Sequence, residues 1–385
     1  MKDIYIWLVR LMSMLHYFNR GKHRRVIYLM SFDNNLKFIL AVAKTLADPA
    51  DMVVYYRPAV EAAATRLAAY GITVISYQDN VSFVLHGVPQ MMRAKLMFCD
   101  NYYAFLGGLK HPRNCRIVQL WHANGAIKRF GFGDPKTALR SKTDQRRFQR
   151  VYNQFDDFVV ASEAMGHVFE ESYRVPASRI QLLGYPRSDR FLSAKWRSNA
   201  LARVDRLAPG LTSHRVILFA PTYRESMKFE LSDALKKALI TDPDAVVVVK
   251  LHPLLQQYEQ KFSQVGAGRI RFYPQLSTTD LLMVTETLVT DYSSVAFDYS
   301  LLPTAHTMLF YMADLPEYEK NPGIQPHFLK WLPTQPLTTP AQLEEAIRAD
   351  VLTDFTQFNH YWNTYNDGQA TTRVIDRFRS TIVGK

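Results

Sequence analysis

The sequence has few of the residues and patterns that would place it in several common protein classes. Its only cysteines are Cys99 and Cys115, which form neither a disulfide framework nor a metal-type pair, and this scarcity fits a reducing cytoplasm. No apolar run is long enough to span a bilayer. Walker loops, zinc-ligand patterns and nucleophile elbows are absent, and Gly131-Phe132-Gly133 lacks the third glycine of a dinucleotide fingerprint. The chemistry must therefore come from another arrangement of residues.

What is present is a long and strongly basic chain. Its 385 residues fit two domains, and a hydrophobic share of 48% is enough for large cores. The 47 Lys and Arg residues outnumber the 35 Asp and Glu residues, which gives a net charge of +12. This excess favours an anionic partner, such as a phosphorylated substrate, an acidic lipid surface or a nucleic acid. The interleaved aromatic and basic motif of nucleic-acid-binding proteins is absent, so we expect no nucleic acid.

Residues 1–25 predict an amphipathic helix followed by a basic cluster that includes Arg24 and Arg25. The apolar face of this helix would carry Ile4, Trp7, Leu8, Leu11, Leu15 and Phe18. Such a pattern is typical of a helix that lies in a membrane interface with its cations toward lipid headgroups. The alternative is a helix packed on the protein's own core, but Trp7 and the basic cluster favour the membrane surface.

Strands alternate with helices along most of the chain, which indicates an α/β protein with parallel sheets and right-handed crossovers. The pattern predicts one domain over residues 26–195 and a second over residues 210–350. A polar, basic stretch over residues 191–214 is interpreted as the interdomain region, and residues 351–385 as a C-terminal helical segment.

A second concentration of basic residues follows the middle of the first predicted domain. Its members are Lys136, Arg140, Lys142, Arg146, Arg147 and Arg150. A solvated helix face is the usual explanation, and we prefer it unless this helix lies beside the N-terminal one. In that case the segment would be a surface for lipid headgroups or for an anionic acceptor.

Candidate site residues follow predicted strands at their carboxyl ends, where open α/β sheets bind ligands. His122 follows one strand of the first domain, although a hydrogen-bonded loop histidine is an equal alternative. In the second domain Arg224 and His252 follow two strands, and the turn Asp291–Ser294 follows a third. An arginine grips phosphate oxygens, a histidine donates to phosphate or protonates a leaving oxygen, and a helix start offers unpaired N–H groups. Together they predict a diphosphate site.

Several segments resemble, in order, the motifs of the CDP-glycerol glycerophosphotransferase family of teichoic acid synthesis. They are Trp121-His122, Gly184-Tyr185-Pro186-Arg187-Ser188-Asp189, Ala220-Pro221-Thr222-Tyr223-Arg224, Lys250-Leu251-His252-Pro253, Thr290-Asp291-Tyr292-Ser293-Ser294 and the C-terminal Asp367-Gly368. The matches run over about residues 116–300, and the region around His122 resembles the primase branch of this Gram-positive cell-wall family.

The resemblance implies a GT-B architecture, with two Rossmann-like domains facing a cleft. It also implies an enzyme that transfers glycerol phosphate from CDP-glycerol to the N-acetylmannosamine of an undecaprenyl-diphosphate-linked disaccharide, with release of CMP. Such an enzyme would work as a peripheral protein at the cytoplasmic face of the membrane, alongside other teichoic acid enzymes. The alternatives are a related transferase or polymerase that uses CDP-glycerol or CDP-ribitol, and a basic membrane- or nucleic-acid-binding protein without turnover. No cofactor is implied beyond the donor substrate, and the need for a divalent metal stays open.

The resemblance also assigns expected roles to individual residues. His122 and His252 are the expected catalytic residues, with His122 as the base that takes the proton of the acceptor hydroxyl. The expected donor-binding residues are Arg224, Thr222, Pro253, Asp291, Ser293, Ser294, Arg187 and Asp189. The expected acceptor and membrane contacts are Trp7, Arg24, Arg25, Lys128, Arg140 and Arg147. Asp291 is expected to orient its turn, or to contact ribose or glycerol, rather than to act as a base.

Overall fold

The structure is a computed structural model and describes residues 2–18, 25–222, 232–251 and 268–384. The chain forms two compact units. The first unit contains Met1–Ala123, Phe130–Asp189 and Tyr365–Lys385, and the second contains Asn124–Arg129 and Arg190–Thr364. Both units are α/β, so the predicted fold class of two Rossmann-like domains is confirmed.

The first unit is built on a seven-stranded parallel sheet in the order β3-β2-β1-β4-β5-β6-β7. Its strands are β1 Val26–Met30, β2 Met52–Tyr56, β3 Thr73–Ser76, β4 Leu96–Cys99, β5 Arg116–Gln119, β6 Asp157–Val160 and β7 Ile180–Leu182. Its α-helices are Lys2–Leu15, Leu36–Thr45, Glu61–Ala68, Val88–Met91, Pro135–Ala138, Lys142–Tyr152, Glu163–Tyr173 and Ala370–Val383. The strand order reverses between β1 and β4, so the switch point of the sheet lies there.

The second unit is built on a five-stranded parallel sheet in the order β10-β9-β8-β11-β12. Its strands are β8 Arg215–Ala220, β9 Ala245–Val249, β10 Ile270–Arg271, β11 Thr287–Thr290 and β12 Thr307–Phe310. Its α-helices are Ala194–Leu207, Asp233–Leu239, Thr278–Leu281, Val295–Ser300, Leu315–Lys320, Pro340–Ala349 and Thr356–Trp362, and Asp189–Leu192 spans the boundary between the units. Every residue of the β-branched run in β9 is buried, as expected of an inner parallel strand.

The structure divides the chain differently from the predicted boundaries, for example at the C-terminal helix and in the polar stretch before the second sheet. The C-terminal helix Ala370–Val383 belongs to the first unit, because its apolar side chains Val374 and Phe378 share a core with Tyr28 of β1 and Val54 of β2. The polar stretch interpreted as interdomain contains the 14-residue helix Ala194–Leu207, which belongs to the second unit. Polar composition alone could not reveal a helix of which only one side is buried.

The N-terminal helix Lys2–Leu15 contacts the first unit through the side that carries Val9 and Ser13, whereas the charged Asp3 and Arg10 are exposed. Val9 and Ser13 are buried, and the Ser13 hydroxyl accepts a hydrogen bond from the Lys110 amide at 2.9 Å. The exposed side carries Ile4, Trp7, Leu11, Met14, Leu15 and Phe18. The apolar face therefore does not pack on the protein's own core. Among the described residues, no helix combines the length and apolar character needed to cross a membrane.

A glycine in the loop after β7 joins this loop to the C-terminal segment of the first unit. Gly184 has a φ of +78°, and a Cβ at this position would clash with the carbonyl oxygen of Tyr365. The amide of Gly184 donates to Val160 at 2.9 Å, and the amide of Tyr365 donates to Ala161 at 2.8 Å, so both segments are fixed beside the end of β6. Only glycine fits both the backbone conformation and the space.

We expect Gly184→Ala to destabilise the protein more than Gly210→Ala. Gly210 has nearly the same φ of +79° but has no atom within 4 Å of an added Cβ, so its substitution costs only left-handed strain, about 1–2 kcal/mol. Thermal unfolding of both variants should show a larger fall in Tm for Gly184→Ala. Equal falls would mean that the contact with Tyr365 relaxes without cost.

Candidate functional site

His122 lies in the first unit, just after β5, in a site that holds its ring on two sides. The ring stacks on Phe32 with centroids 4.5 Å apart, and it contacts Trp121 at 4.3 Å. The backbone carbonyl of His122 accepts a hydrogen bond from the Asn34 side-chain amide at 2.8 Å. Both Phe32 and Asn34 belong to the loop after β1, so the two loops at the carboxyl ends of β1 and β5 fix the imidazole together.

The protonation of His122 follows from its one recorded ring hydrogen bond. Nδ1 lies 3.2 Å from the Asp100 carbonyl oxygen, which can only accept, so Nδ1 carries the proton. Burial, together with the positive charge of Arg187, lowers the pKa of His122 to about 4. The ring is therefore neutral at physiological pH, and Nε2 presents a lone pair. A neutral imidazole with a fixed tautomer is the form that a general base requires.

Asp100 organises this site, although it belongs to none of the motifs found in the sequence. Its fully buried carboxylate accepts hydrogen bonds from the Ser31 and Phe32 amides, each at 3.0 Å, and from the Tyr103 hydroxyl at 2.9 Å. Burial raises the pKa of Asp100 to about 7, against the opposing effect of these donors. The side chain thus holds the loop that carries Phe32, while its carbonyl holds His122. A lone acidic residue at the end of the apolar strand Leu96–Cys99 was the available signal.

Trp121 adjoins His122 and has a left-handed backbone with a φ of +60°. This conformation is uncommon for a bulky residue and costs free energy that the surrounding structure must supply. The Gln119 side chain stabilises it by accepting the Trp121 amide at 2.9 Å. The indole ring packs edge-on against Phe169 at 5.2 Å. The strained residue is the one that turns the chain from β5 into the histidine loop.

The loop Gly184–Asp189 meets the C-terminal motif inside the first unit. The Asn366 side chain accepts from the Tyr185 amide and from the Ser188 hydroxyl, both at 2.9 Å. Asp189 accepts from the amides of Ala370 and Thr371, at 3.0 and 2.8 Å, where the last helix begins. The contacts of Asp189 are those of a structural helix cap. Arg187 is buried and lies near enough to His122 to affect its pKa, so both residues belong to the unit that contains His122 and not to the unit of the Asp291 turn.

In the second unit, Asp291 ties the ends of β11 and β8 together. Its buried carboxylate accepts from the Thr222 amide at 2.9 Å, from the Thr222 hydroxyl at 2.7 Å and from the Tyr292 amide at 2.6 Å. A carboxylate engaged in this way holds the two loops in place, and the role expected of Asp291 stays a prediction. The structure thus brings Thr222 and Asp291, predicted from separate motifs, into direct contact.

Ser293 and Ser294 precede the helix Val295–Ser300 and are half-buried. Ser294 occupies the cap position, but its hydroxyl makes no cap hydrogen bond. The Ser293 hydroxyl accepts only a long bond of 3.4 Å from the Val295 amide. Within the described part of the chain, neither serine amide has a hydrogen-bond partner. The amides and hydroxyls of the two serines could donate to an oxyanion. The helix has only six residues, so its dipole adds little to the attraction for an anion.

Three predicted donor-site residues, Arg224, His252 and Pro253, lie outside the described residues, and so does Arg24 of the N-terminal basic cluster. Their roles stay predictions. Of the second-domain constellation, the structure describes the Thr222 and Asp291–Ser294 parts.

The basic helix Lys142–Tyr152 lies beside the N-terminal helix, which is the condition set for its functional interpretation. Arg147 forms ion pairs with Asp3 of the N-terminal helix, at 2.6 Å, and with Asp144 of its own helix. Arg147, Arg140 and Tyr5 line a cavity of about 540 Å3 between these elements. Its volume is in the range of small-molecule sites. Trp7 is 60% exposed on the N-terminal helix.

Lys128, the remaining predicted acceptor contact, is separate from this cavity because it belongs to the second unit. Its side chain is exposed, and its backbone pairs with Ile324.

One group of potential metal ligands occurs among the described residues, formed by Glu286, His306 and Asp350. These residues lie at the amino ends of β11 and β12, at the opposite edge of the sheet from the Asp291 turn. The Arg215 guanidinium forms ion pairs with Glu286 at 3.5 Å and with Asp350. The protein's own cation thus occupies the group, which makes it a structural ion-pair network rather than a suitable metal centre.

Comparison with known proteins finds one family along nearly the whole chain. A family model described as CDP-Glycerol:Poly(glycerophosphate) glycerophosphotransferase matches residues 11–379. The teichoic acid glycerol-phosphate primase of Bacillus subtilis (strain 168) is 28% identical over 367 residues, which cover 93% of this chain and 92% of that protein. The protein of the same name from Bacillus spizizenii (strain ATCC 23059 / NRRL B-14472 / W23) is 31% identical over 300 residues, or 76% of each chain.

A solved structure of a variant of the wall teichoic acid polymerase TagF resembles this chain in fold. It superimposes with a TM-score of 0.73, covering 98% of this chain and 93% of that chain at 17% identity. At this identity the likeness concerns the fold alone.

The lowered pKa of His122 predicts a distinctive titration. In an NMR titration of ring-labelled histidines, the His122 signals should change near pH 4 rather than near the ordinary value of 6.5. As the pH falls, His122 binds a proton near pH 6.5 in the unfolded chain but only near pH 4 in the folded protein. The contribution of His122 to folding stability should therefore decrease as the pH is lowered from about 6.5 to about 4. A His122 midpoint close to 6.5 would show that the ring is not held as described.

Proposed function

We propose that this chain, which belongs to the CDP-glycerol:poly(glycerophosphate) glycerophosphotransferase family, is a teichoic acid glycerol-phosphate primase. It transfers glycerol phosphate from CDP-glycerol to the N-acetylmannosamine of an undecaprenyl-diphosphate-linked disaccharide, and CMP leaves. The observation that carries the proposal is the neutral His122, with Nδ1 anchored on the Asp100 carbonyl and Nε2 available as a base. The two primases reported above support the choice of reaction.

The proposed reaction is a single phosphoryl transfer. Nε2 of His122 takes the proton from the acceptor hydroxyl as that oxygen attacks the phosphorus bearing glycerol. A new phosphorus–oxygen bond forms, the bond to the CMP oxygen breaks, and CMP leaves with the electron pair. Phosphoryl transfer depends mainly on alignment and charge stabilisation, so one base and a set of phosphate-binding groups are sufficient machinery.

A pKa near 4 makes His122 a weak base in the ligand-free protein. A bound anionic donor would raise this pKa, since nearby negative charge stabilises the imidazolium form. With donor bound, the pKa of His122 would then be closer to the working pH, where proton transfer to a base is most effective.

In the proposal, the second unit supplies donor binding. Thr222 and Asp291 brace the turn, and the unpaired amides of Ser293 and Ser294 face the donor's phosphate oxygens. Arg224 and His252 add positive charge to the diphosphate, and Pro253 shapes the same motif. Arg187 is proposed to act on the His122 side, where its charge already affects the imidazole.

The same proposal places the enzyme on the cytoplasmic face of the cell membrane as a peripheral protein. Its support is the exposed apolar side of the N-terminal helix, from Ile4 to Phe18, followed in sequence by the basic cluster that includes Arg24 and Arg25. Such a helix can lie in the interface with its apolar side among the acyl chains. A membrane location would bring the enzyme to its lipid-linked acceptor, which we propose contacts Arg140 and Arg147.

A polymerase that extends a primed chain, with CDP-glycerol or CDP-ribitol as donor, is the second candidate. The similarity of this chain to the teichoic acid poly(ribitol-phosphate) polymerase of Bacillus spizizenii, 29% identical over 303 residues and 74% of this chain, favours it.

An assay of CMP release distinguishes these candidates. With CDP-glycerol and a synthetic prenyl-diphosphate disaccharide, we expect one glycerol phosphate to be added per acceptor. CDP-ribitol and an acceptor that already carries glycerol phosphate should be poor substrates. Efficient turnover of either one, with little on the unprimed disaccharide, would overturn the primase assignment in favour of the second candidate.

His122→Ala should lower turnover by about 10²–10⁴-fold, the usual contribution of a positioned base. The dissociation constant of CDP-glycerol should change little, since the donor contacts belong to the second unit. His167→Ala is the matched control, because His167 is an exposed histidine of the same unit, and it should retain normal turnover. Near-normal turnover of His122→Ala would show that the base has been wrongly assigned.

A further inference from the structure

A cavity of about 450 Å3 lies in the first unit, on the side of the sheet away from the main core. Cross-strand partners form its floor, Ile27 with Val53 and Tyr55 with Ile75. Alternate residues of the same strands, such as Tyr28, belong to the main core. Because successive strand side chains point to opposite faces, the floor is the second face of the β1-β2-β3 region.

The cavity is covered by an unusual helical segment. Phe83–Gly87 forms a π-helix that continues into the helix Val88–Met91. π-Helical turns are rare and often mark functional sites. The Phe83 ring lies 6.0 Å from the Tyr55 ring, and the missing side chain of Gly87 leaves the space that this ring occupies. The cavity is therefore bounded by the sheet on one side and by an aromatic-bearing helix on the other.

The charge in this cavity is positive and unbalanced. Arg25 and Arg93 line it at the amino ends of β1 and β4, and no Asp or Glu residue lines it. Among the described residues, neither guanidinium makes a hydrogen bond or an ion pair, and the buried Nε of Arg93 has no acceptor. A buried donor without an acceptor is costly, and an anion bound in the cavity would supply the acceptor. This differs from the neighbouring 540 Å3 cavity, where Arg147 is already paired with Asp3 and Asp144.

The surroundings of the cavity are apolar and exposed. Ile75 lines the cavity and is 37% exposed. Val81, just before the covering segment, and Leu85, within it, are 58% and 50% exposed. The N-terminal helix packs against the covering segment and exposes its own apolar side. These two regions contribute nine of the fifteen exposed large apolar side chains in the described chain, so this is where contact with a lipid surface is expected.

We propose that this cavity binds one phosphate-headed membrane lipid, with its phosphate on Arg25 and Arg93 and the adjoining part of its chain against Ile75 and Phe83. An arginine pair suits a phosphate, and the apolar surface suits a hydrocarbon chain. A polyprenyl phosphate and an anionic glycerophospholipid share this chemistry. The inference rests on the proposed function only to explain why a membrane lipid is close to the protein. Its test measures lipid binding and not turnover, so a failure of the lipid-site proposal can be told apart from a failure of the primase proposal.

The test is isothermal titration calorimetry on the full-length protein with four soluble probes. They are geranyl monophosphate, dihexanoyl phosphatidylglycerol below its micelle concentration, geraniol and inorganic phosphate. The variants are Arg93→Gln, Arg25→Gln and Ile75→Glu. Ile75 is partly exposed, so its substitution should leave the fold intact while placing a negative charge in the cavity. Arg66→Gln is the matched control, because Arg66 is an exposed arginine of the same unit that lies outside the cavity.

We expect at least one phosphate-headed amphiphile to bind, and each cavity variant to weaken its Kd by about tenfold or more, while Arg66→Gln leaves it unchanged. Tighter binding of the isoprenoid probe would support the proposal with a polyprenyl phosphate as the ligand, and tighter binding of the phospholipid probe would support it with a membrane phospholipid. Equal binding of geraniol would overturn it, since the arginines would then contribute nothing. Inorganic phosphate that binds as tightly as the amphiphiles, or unchanged Kd values in all three variants, would overturn it as well.

Discussion

A buried carboxylate at the switch point of each sheet holds the functional loops in place. In the first unit, Asp100 follows β4 and accepts the amides of the loop after β1. In the second unit, Asp291 follows β11 and accepts the amide and hydroxyl of Thr222 after β8. In both sheets the two bridged strands are neighbours where the strand order reverses. Parallel strands diverge into loops at this point, and without a connecting acceptor their amides would stay unpaired.

The two carboxylates support different chemistry because their neighbours differ. Around Asp100 the neighbours are aromatic, so His122 is partly removed from water and stays neutral. Around Asp291 the neighbours are hydroxyl and amide groups of Thr222, Ser293 and Ser294. A neutral acceptor suits proton removal, and a set of donors suits phosphate oxygens. In the proposed function, the same arrangement of a buried carboxylate supports a base in one unit and an anion site in the other.

One side of the first unit carries the features from which we propose contact with lipid. The N-terminal helix is held through Val9 and Ser13, so its apolar side is left exposed. The adjacent cavity combines two unpaired arginines with the exposed Ile75. The exposed apolar side of the helix and the cavity arise for the same reason. In each case the other side of the helix or strand packs against the protein. A surface that is apolar and basic together is suited to the interface of an anionic membrane.

The sequence by itself determined the α/β class, most strand positions and the family, because these depend on local pattern and on motifs that are contiguous in the chain. Val26–Met30 and Ala245–Val249, for example, are apolar runs in the sequence and strands in the structure. It also singled out His122 and Asp291 from their positions after strands. Only the tertiary structure decided that Asp189 caps the last helix and that Arg187 lies near His122.

Tertiary structure also decided that the C-terminal helix joins the first core, that Asp100 anchors the imidazole and that the N-terminal helix is held through Val9 and Ser13. The physical reason is the same in each case. Hydrogen bonds and packing between residues far apart in the chain depend on where the folded backbone places those residues. The local sequence pattern does not predict that placement.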